Sequence, residues 1–252
     1  PHPARRCYHL TSIFCYRSVM LATPKLLKSF SLFQGLSDSD LEYLCSRSLV
    51  ERYSRRAVLL SAGSKENQVC MLFEGRLQGV DFTIDGKEVG LYFVEPGDYC
   101  GELSVFEPGA QPEHVIALNS AVVVLFPAET IRKVAEQNPR IMLELGSKLA
   151  SRIRQMTVQR SLLSVPNVSR RVCNQLWLLI PAQHLERTDS IEINGLPTHM
   201  EIAIMLNLSR ETITRVFQQL QRRQIVSRDG PNKLLINDLL TLRKISEGSQ
   251  QL

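Results

Sequence analysis

Two arginines and a glutamate lie close together in the stretch LSRETITR, at Arg210, Glu211 and Arg215. A guanidinium offers N–H donors in a fixed planar fork, whereas an ionised carboxylate only accepts hydrogen bonds. On a helix, residues four positions apart share a face, so Glu211 and Arg215 would point the same way. These residue types at this spacing favour hydrogen-bond recognition of a flat polar edge that carries both acceptors and donors.

The helix that would position these side chains is amphipathic. Four apolar residues recur at helical spacing and predict a buried face: Ile213, Val216, Phe217 and Leu220. The opposite, outward face carries Arg210, Glu211, Thr214, Arg215 and Gln218. Ser209 is a suitable N-cap for the first turn. We call this predicted helix the reader helix.

Another helix is predicted immediately before the reader helix. Thr198 followed three residues later by Glu201 is a capping box, which marks a helix start. Two helices joined by a short turn form a helix-turn-helix, whose second helix lies in the major groove of DNA. There guanine offers acceptors that suit arginine, and cytosine offers a donor that suits glutamate. The alternative is a solvated face with an internal pair between Glu211 and Arg215.

The segment after the reader helix, QIVSRDGPNKLLIND, predicts two short strands around a tight turn, which is the wing of a winged helix-turn-helix. Its basic residues suit phosphate contacts, which position a protein on DNA without reading sequence. The predicted contacts to double-stranded DNA are Thr198, Ser209, Arg210, Glu211, Thr214, Arg215, Gln218, Arg228 and Lys233.

Residues 51–127 have a different texture, with short apolar runs separated by turn signals. Asp85 and Gly86, between VDFTI and KEVGLYFV, are a hairpin signal. Strands at this spacing predict an antiparallel barrel or jelly roll. The fold class is therefore α+β, with an N-terminal tail (1–22), a β jelly roll (23–127), a long helix (128–164) and a winged helix-turn-helix (165–252). Pro166 marks the last boundary, because proline cannot continue a helix.

The long helix carries an apolar heptad stripe that Arg152 and Gln159 interrupt. A stripe of this length predicts the seam of a homodimer. The alternative is a helix packed on its own barrel, for which Ile141 and Ile153 would serve. The predicted dimer contacts are Met142, Leu145, Leu149, Ile153, Met156 and Leu163.

Composition sets broad limits on the class of protein. The chain of 252 residues is 44% hydrophobic and 22% charged, typical of a globular protein, and its net charge of +5 permits a polyanionic partner. No apolar run approaches the roughly 20 residues that a membrane helix needs, so we expect a cytoplasmic protein without membrane contact. The six cysteines contain no C-x-x-C pair, so we predict reduced thiols and no metal site.

Together these elements resemble the CRP/FNR family of bacterial transcription regulators, over roughly residues 24–240. The resemblance rests on GDYCGELSVFEPG in the barrel, the long helix after it and LSRETITRVFQQLQ in the reader helix. It implies base contacts by Arg210, Glu211 and Arg215, a homodimer, and half-sites similar to TGTGA in an inverted repeat. It also implies contact with RNA polymerase, for which the loop at 182–190 is a candidate.

The resemblance implies an effector pocket in the barrel, where this sequence departs from the family. Gly101, Glu102 and Leu103 match the family's Gly-Glu-Leu. Pro112 and Glu113 stand where the family has an Arg-Ser pair that holds the cyclic phosphate. Proline has no N–H to donate, and a carboxylate repels a phosphate at close range. We therefore expect no cyclic AMP in the usual mode, and we expect Glu102 to cap the short helix ELSVF instead.

The nature of the signal stays open. Met156 and Thr157 stand where the family has an adenine-contacting Thr-Ser pair. The alternatives are another nucleotide second messenger in the same barrel, an iron–sulfur cluster, haem, or no ligand, with activity set by protein level or thiol oxidation. The cluster branch of the family has closer cysteines than Cys7 and Cys15, and its haem branch has a histidine near Cys100 where this chain has a glutamate.

Two rival functions differ in class from a DNA-binding regulator. One is a non-catalytic module that binds a nucleotide second messenger and acts through protein–protein contacts, without sequence-selective DNA binding. The other is an enzyme, for which the sequence offers no phosphate-cradling glycine loop and no nucleophile elbow. His199 beside Glu201 does not make the H-E-x-x-H motif of zinc proteases.

Overall fold

The computed structural model describes residues 21–181, 190–230 and 232–252. Its N-terminal part is α1 (Pro24–Leu27), a 3-10 turn (Ser31–Phe33) and α2 (Asp38–Ser46). Apolar side chains from these elements pack under the barrel, where Phe33 meets Phe126 edge to face at 5.7 Å between ring centroids. No helix within the described ranges is long and apolar enough to span a membrane.

The predicted β jelly roll is present as two packed antiparallel sheets. Its strands are β1 (Leu49–Tyr53), β2 (Val58–Leu60), β3 (Gln68–Glu74), β4 (Leu77–Phe82), β5 (Glu88–Val94), β6 (Tyr99–Cys100), β7 (His114–Ala117) and β8 (Ala121–Pro127), with α3 (Leu103–Phe106) after β6. The strand orders are β1-β8-β3-β6 and β2-β7-β4-β5. The predicted hairpin at Asp85 and Gly86 joins β4 to β5, and Gly86 takes the φ of +73° that this turn requires.

The segment predicted as one helix over 128–164 is two helices, so that prediction was wrong in this detail. They are α4 (Ala128–Gln137) and α5 (Pro139–Leu163), which meet at the non-helical Asn138. Proline disfavours helical geometry in the residue before it but is well suited to the first position of a helix. Pro139 therefore ends α4 and begins α5. Helix α4 is then part of the barrel core, with Ile131 and Val134 buried.

The C-terminal domain is a small antiparallel sheet covered by helices. Its elements are α6 (Val168–Leu178), β9 (Ile191–Asn194), α7 (His199–Leu206), α8 (Arg210–Arg222), β10 (Val226–Arg228), β11 (Lys233–Ile236) and α9 (Leu239–Glu247). The strand order is β10-β11-β9, so the predicted wing is the β10–β11 hairpin. The helices α7 and α8 are the predicted helix-turn-helix, and α8 is the reader helix.

The C-terminal domain packs directly on the barrel through α7 and β5. Gly90 of β5 lies against Met205 of α7 so closely that a Cβ at Gly90 would sit 2.6 Å from the Met205 sulfur. Gln159 of α5 donates a hydrogen bond to the carbonyl of Met205. The Arg76 guanidinium, at the start of β4, donates to the carbonyl of Gly195 at 2.8 Å. These contacts fix the orientation of the helix-turn-helix relative to the barrel.

Candidate DNA interface and barrel site

The reader helix buries its apolar face and exposes its polar face, as its periodicity predicts. Ile213, Val216, Phe217 and Leu220 are buried in the core of the C-terminal domain. Arg210, Glu211, Arg215 and Gln218 are exposed, and Thr214 is half-buried. Because the helix is held along its apolar side, the directions of the exposed side chains are set by the domain core.

Both predicted caps are present at the two helices. The Thr198 Oγ1 accepts from the Glu201 N–H at 3.3 Å, and the Glu201 carboxylate accepts from the Thr198 N–H at 2.9 Å. Ser209 Oγ accepts from the Thr212 N–H at 3.2 Å. Between the helices, Asn207 has φ +51° and turns the chain. These local bonds define where the reader helix begins, and thus which residues lie at its N-terminal end.

The charged groups of the reader helix remain available to an external partner. Hydrogen bonds from its own backbone N–H and from Ser209 lower the pKa of Glu211, so the carboxylate is ionised at neutral pH. Arg215 contacts the Thr212 hydroxyl at 3.4 Å. Within the described residues, Glu211 and Arg215 form no ion pair with each other. The solvated-face alternative, in which these two residues pair, is therefore not what the structure has.

The wing brings one predicted phosphate contact next to the reader helix. The Arg228 guanidinium lies 2.8 Å from His199 Nε2, and His199 Nδ1 lies 2.9 Å from the Thr214 hydroxyl. The sequence pattern around His199 was tested only against a metal-binding motif, and this contact was not predicted. Its position directly after the Thr198 cap, facing the reader helix, was the available signal. Lys233, the other predicted wing contact, pairs with Glu192 at 2.9 Å on the surface.

Inside the barrel, Glu102 occupies the N-cap position of α3, but its side chain makes no capping hydrogen bond, so the predicted capping role of the carboxylate was wrong. The Glu102 carboxylate instead lies 3.4 Å from the guanidinium of Arg152 on α5, and both side chains are buried. The two atoms are not aligned for a hydrogen bond, so the contact is Coulombic. The Arg152 guanidinium also lies 3.6 Å from the ring centroid of Tyr92 and donates to the carbonyl of Tyr99 at 3.2 Å. Arg152, which interrupts the predicted heptad stripe, is thus buried in the barrel beside Glu102.

Glu113, at the position expected for the cyclic phosphate, forms hydrogen bonds with other residues of the chain. The half-buried Glu113 carboxylate accepts hydrogen bonds from the Tyr92 hydroxyl and, at 3.3 Å, from the Gln111 amide. Burial raises the pKa of Tyr92 well above its usual value, so this hydroxyl keeps its proton. Pro112 is exposed. We call Tyr92, Glu102, Gln111, Glu113 and Arg152 the barrel cluster.

The remaining predicted pocket residues differ in their burial and surroundings. Gly101, at φ +81°, lies in the turn before α3, where a Cβ would sit 2.2 Å from the Gln68 carbonyl oxygen. Leu103 is 42% exposed. Met156 and Thr157 are exposed on α5, and Thr157 donates back to the carbonyl of Ile153. Met156 and Thr157 are therefore exposed on α5, whereas Glu102 is buried in the barrel.

The predicted dimer residues range from fully buried to exposed. Leu145 is fully buried in its own barrel core and has no surface for a partner. Met142, Leu149 and Leu163 are half-buried. Ile153 and Met156 are 65% and 43% exposed, next to a groove of about 420 Å³ between α5 and β5. An apolar stripe is thus exposed on the C-terminal half of α5.

The cysteines in the described part of the chain are free thiols. Cys70, Cys100 and Cys173 are buried. Burial raises the pKa of Cys173 to about 12, and a hydrogen bond to Cys70 together with burial raises the pKa of Cys100 well above its usual value. These features oppose thiolate formation, on which oxidation sensing depends. Cys7, Cys15 and the loop 182–189 lie outside the described residues.

Two family models match the chain. A cyclic nucleotide-binding domain matches residues 50–138, and a Crp-like helix-turn-helix domain matches residues 170–245. The chain belongs to the CRP/FNR family, and is a CRP-like transcription regulator with a cyclic-nucleotide-binding-type domain and a DNA-binding helix-turn-helix domain.

The chain is similar to curated regulators and to solved structures over most of its length. The cAMP-activated global transcriptional regulator CRP of Pasteurella multocida is 27% identical over 195 residues, which are 77% of this chain and 92% of the relative. A CooA variant from Carboxydothermus hydrogenoformans superimposes with a TM-score of 0.70 at 21% identity, covering 90% of this chain and 97% of that one. The c-di-GMP responsive regulator CLP of Xanthomonas campestris has a TM-score of 0.61 at 19% identity, covering 80% and 99%. These structures share the fold.

The Arg152–Glu102 contact leads to a stability prediction. Replacing one member of a buried ion pair leaves the other charge uncompensated, which costs about 3–5 kcal/mol. Burial raises the pKa of Glu102 and Arg152 lowers it, so Arg152→Met should raise it further. A carboxyl with a raised pKa in the folded state lowers stability as the pH rises above its ordinary value of 4.5. We expect Arg152→Met to lower the free energy of unfolding more at pH 8 than at pH 5, by urea titration.

Two variants serve as controls for this experiment. Arg154→Met removes an exposed arginine from the same helix, and should have little effect at either pH. The double variant Glu102→Gln/Arg152→Met removes both charges, and should be more stable than Arg152→Met alone. Equal losses for Arg152→Met and Arg154→Met would contradict the assignment of Arg152 as the cation that neutralises Glu102.

Proposed function

We propose that this chain acts as a homodimer that recognises an inverted repeat of TGTGA-like half-sites, with Arg210, Glu211 and Arg215 as base-reading side chains. The observation that carries the proposal is the exposure of all three charged side chains on the reader helix. The helix is capped at Ser209 and buried along its apolar face. Arginine pairs with guanine N7 and O6, and a carboxylate accepts from cytosine N4. Thr214 and Gln218 share the exposed side of the helix.

The residues that flank the reader helix would hold the phosphates. Thr198 and Ser209 are at helix N-termini, where backbone N–H groups and the helix dipole favour an anion. Arg228 and Lys233 extend the surface into the wing. The ion pair of Lys233 with Glu192 is exposed on both sides, and exposed pairs are weak, so a phosphate can replace Glu192. These contacts supply affinity, and the three base-reading residues supply sequence discrimination.

Dimerisation would use the exposed apolar stripe of α5, at Leu149, Ile153, Met156 and Leu163. The exposed fractions of Ile153 and Met156 support this role, because apolar side chains at heptad spacing on one helix are a coiled-coil seam. A two-fold pair would present two reader helices about 34 Å apart, one turn of DNA. Met142 lies at the N-terminal end of the same stripe.

The barrel would sense a signal other than cyclic AMP bound in the usual mode. Glu113 puts a carboxylate at the position expected for the cyclic phosphate, and Arg152 is already engaged by Glu102 and Tyr92. The names of the relatives above specify cAMP for one and c-di-GMP for another. A different nucleotide second messenger is therefore the effector class that we propose, with RNA polymerase as the partner on DNA.

The first test is the role of Arg215. Arg215→Ala should weaken binding to a TGTGA inverted repeat by about 5- to 150-fold, because a bidentate contact contributes roughly 1–3 kcal/mol. Binding to a random duplex at the same salt should change far less. Arg222→Ala, an exposed arginine in the last turn of the same helix, is the matched control. Equal loss on both duplexes in a gel-shift titration would refute base reading, and no selectivity in the wild type would favour the protein–protein module.

The second test is the seam. Ile153→Asp places a carboxylate in the stripe and should convert the dimer to a monomer in sedimentation equilibrium. Because Ile153 is 65% exposed in the single chain, the variant chain should still fold. Leu240→Asp, at a residue 63% exposed on α9, is the control and should remain dimeric. If Ile153→Asp remains a dimer, the exposed stripe of α5 is not the dimer contact.

The third test is the effector. A ligand present at about 100 times its dissociation constant stabilises the folded protein by roughly 2.7 kcal/mol and raises its melting temperature. Because we expect no binding of cyclic AMP in the usual mode, millimolar cyclic AMP should leave the melting temperature of the wild type unchanged. Pro112→Arg/Glu113→Ser removes one carboxylate and adds a cation, and should bind cyclic AMP more tightly than the wild type in calorimetry. Tight binding of cyclic AMP by the wild type would contradict this view of the barrel.

A further inference from the structure

His199 connects the reader helix to the wing through hydrogen bonds on both ring nitrogens. It is the first residue of α7, and its Nε2 lies 2.8 Å from the Arg228 guanidinium in β10. Its Nδ1 lies 2.9 Å from the Thr214 hydroxyl in α8, and Thr214 in turn donates to the carbonyl of Arg210 at 2.9 Å. The chain of contacts therefore runs from a wing cation to the backbone of a base-reading residue.

The chemistry of these groups fixes the direction of every bond. A guanidinium has no acceptor, so Arg228 must donate and His199 Nε2 must carry a lone pair. The ring proton then lies on Nδ1 and is donated to the Thr214 oxygen. Thr214 can accept that proton because its own hydroxyl hydrogen points to the Arg210 carbonyl. The contacts thus require the neutral Nδ1–H tautomer, and a doubly protonated ring cannot accept from Arg228.

The surroundings of the ring favour its neutral form. His199 is half-buried and packs against Phe217, with 4.6 Å between the ring centroids and 38° between the ring planes. The charged groups that face it are Arg228 from the wing and Arg210 from the reader helix, both cations. Burial, followed by these two cations, lowers the pKa of His199. At neutral pH the ring is therefore uncharged and able to accept from Arg228.

We propose that His199 is a positioning residue, whose neutral ring holds the wing arginine Arg228 in register with the reader helix and releases it when the ring is protonated. The inference rests on the proposed function, since it assigns Arg228 to phosphate and the reader helix to bases. When the two are coupled, a phosphate contact by the wing also orients the base-reading side chains. When they are uncoupled, the wing still binds phosphate but no longer aligns the reader helix.

The proposal predicts a pH dependence of discrimination rather than of affinity alone. For the wild type, the ratio of affinities for the TGTGA repeat and a random duplex should fall about tenfold between pH 7.5 and pH 5, the size of one lost charge-assisted hydrogen bond. Affinity for the random duplex should hold or rise, because protonation adds a positive charge. Fluorescence anisotropy titrations at fixed ionic strength measure both affinities.

Variants of the contact separate positioning from simple charge. His199→Gln supplies a carbonyl acceptor for Arg228 and does not titrate, so it should keep the ratio of the wild type at pH 7.5 and keep it unchanged to pH 5. His199→Ala should lower the ratio at both pH values. In Arg228→Ala the ratio should no longer depend on pH. His199→Ala and Arg228→Ala together should lose less than the sum of the single losses, as expected for residues in contact.

Two results would overturn the proposal. The first is a ratio of affinities that does not change with pH in the wild type; if both affinities rise equally as the pH falls, His199 is an ordinary phosphate contact. The second needs no DNA: imidazole ¹⁵N signals at pH 7.5 that show the Nε2–H tautomer would exclude the bond from Arg228. A wild type without discrimination at pH 7.5 would overturn the proposed function, and the tautomer would still decide whether the hydrogen-bond chain exists.

Discussion

The burial of one side of the reader helix is the constraint on which the rest of the structure depends. Ile213, Phe217 and Leu220 have no freedom to turn outward without exposing the core of the C-terminal domain. The charged side chains on the other side are consequently held in fixed directions. The caps at Thr198 and Ser209 set the starting point of each helix, so direction and register are both defined before any DNA is present.

The barrel pairs its carboxylates with groups of its own chain. A carboxylate that is removed from water needs a partner, and in this chain the buried Glu102 has Arg152 while the half-buried Glu113 has the Tyr92 hydroxyl and the Gln111 amide. Each carboxylate of the barrel cluster therefore has a partner within the chain. Because Arg152 comes from α5, the charge balance of the barrel is tied to the helix that also carries the exposed stripe.

The same helix reaches the DNA-binding domain by a second route. Gln159, seven residues after Arg152, donates to Met205 of α7, and the absence of a side chain at Gly90 lets α7 lie directly on β5. A shift of α5 would therefore change both the contact of Arg152 with Glu102 and the hydrogen bond of Gln159 with α7. Rigid packing of this kind transmits small displacements, because close-packed interiors do not deform smoothly.

Patterns within short stretches of sequence determined the jelly roll with its hairpin at Gly86, the capping box at Thr198, the reader helix with its outward Arg210, Glu211 and Arg215, and the wing. Helix periodicity, caps and turns depend on neighbours within a few positions, so one sequence is enough to read them. The tertiary structure alone decided that Glu102 meets Arg152 rather than capping α3, that Leu145 belongs to the barrel core, and that His199 joins Arg228 to Thr214. These contacts link residues far apart in the chain, and which of them meet depends on how the elements pack, which no local pattern specifies.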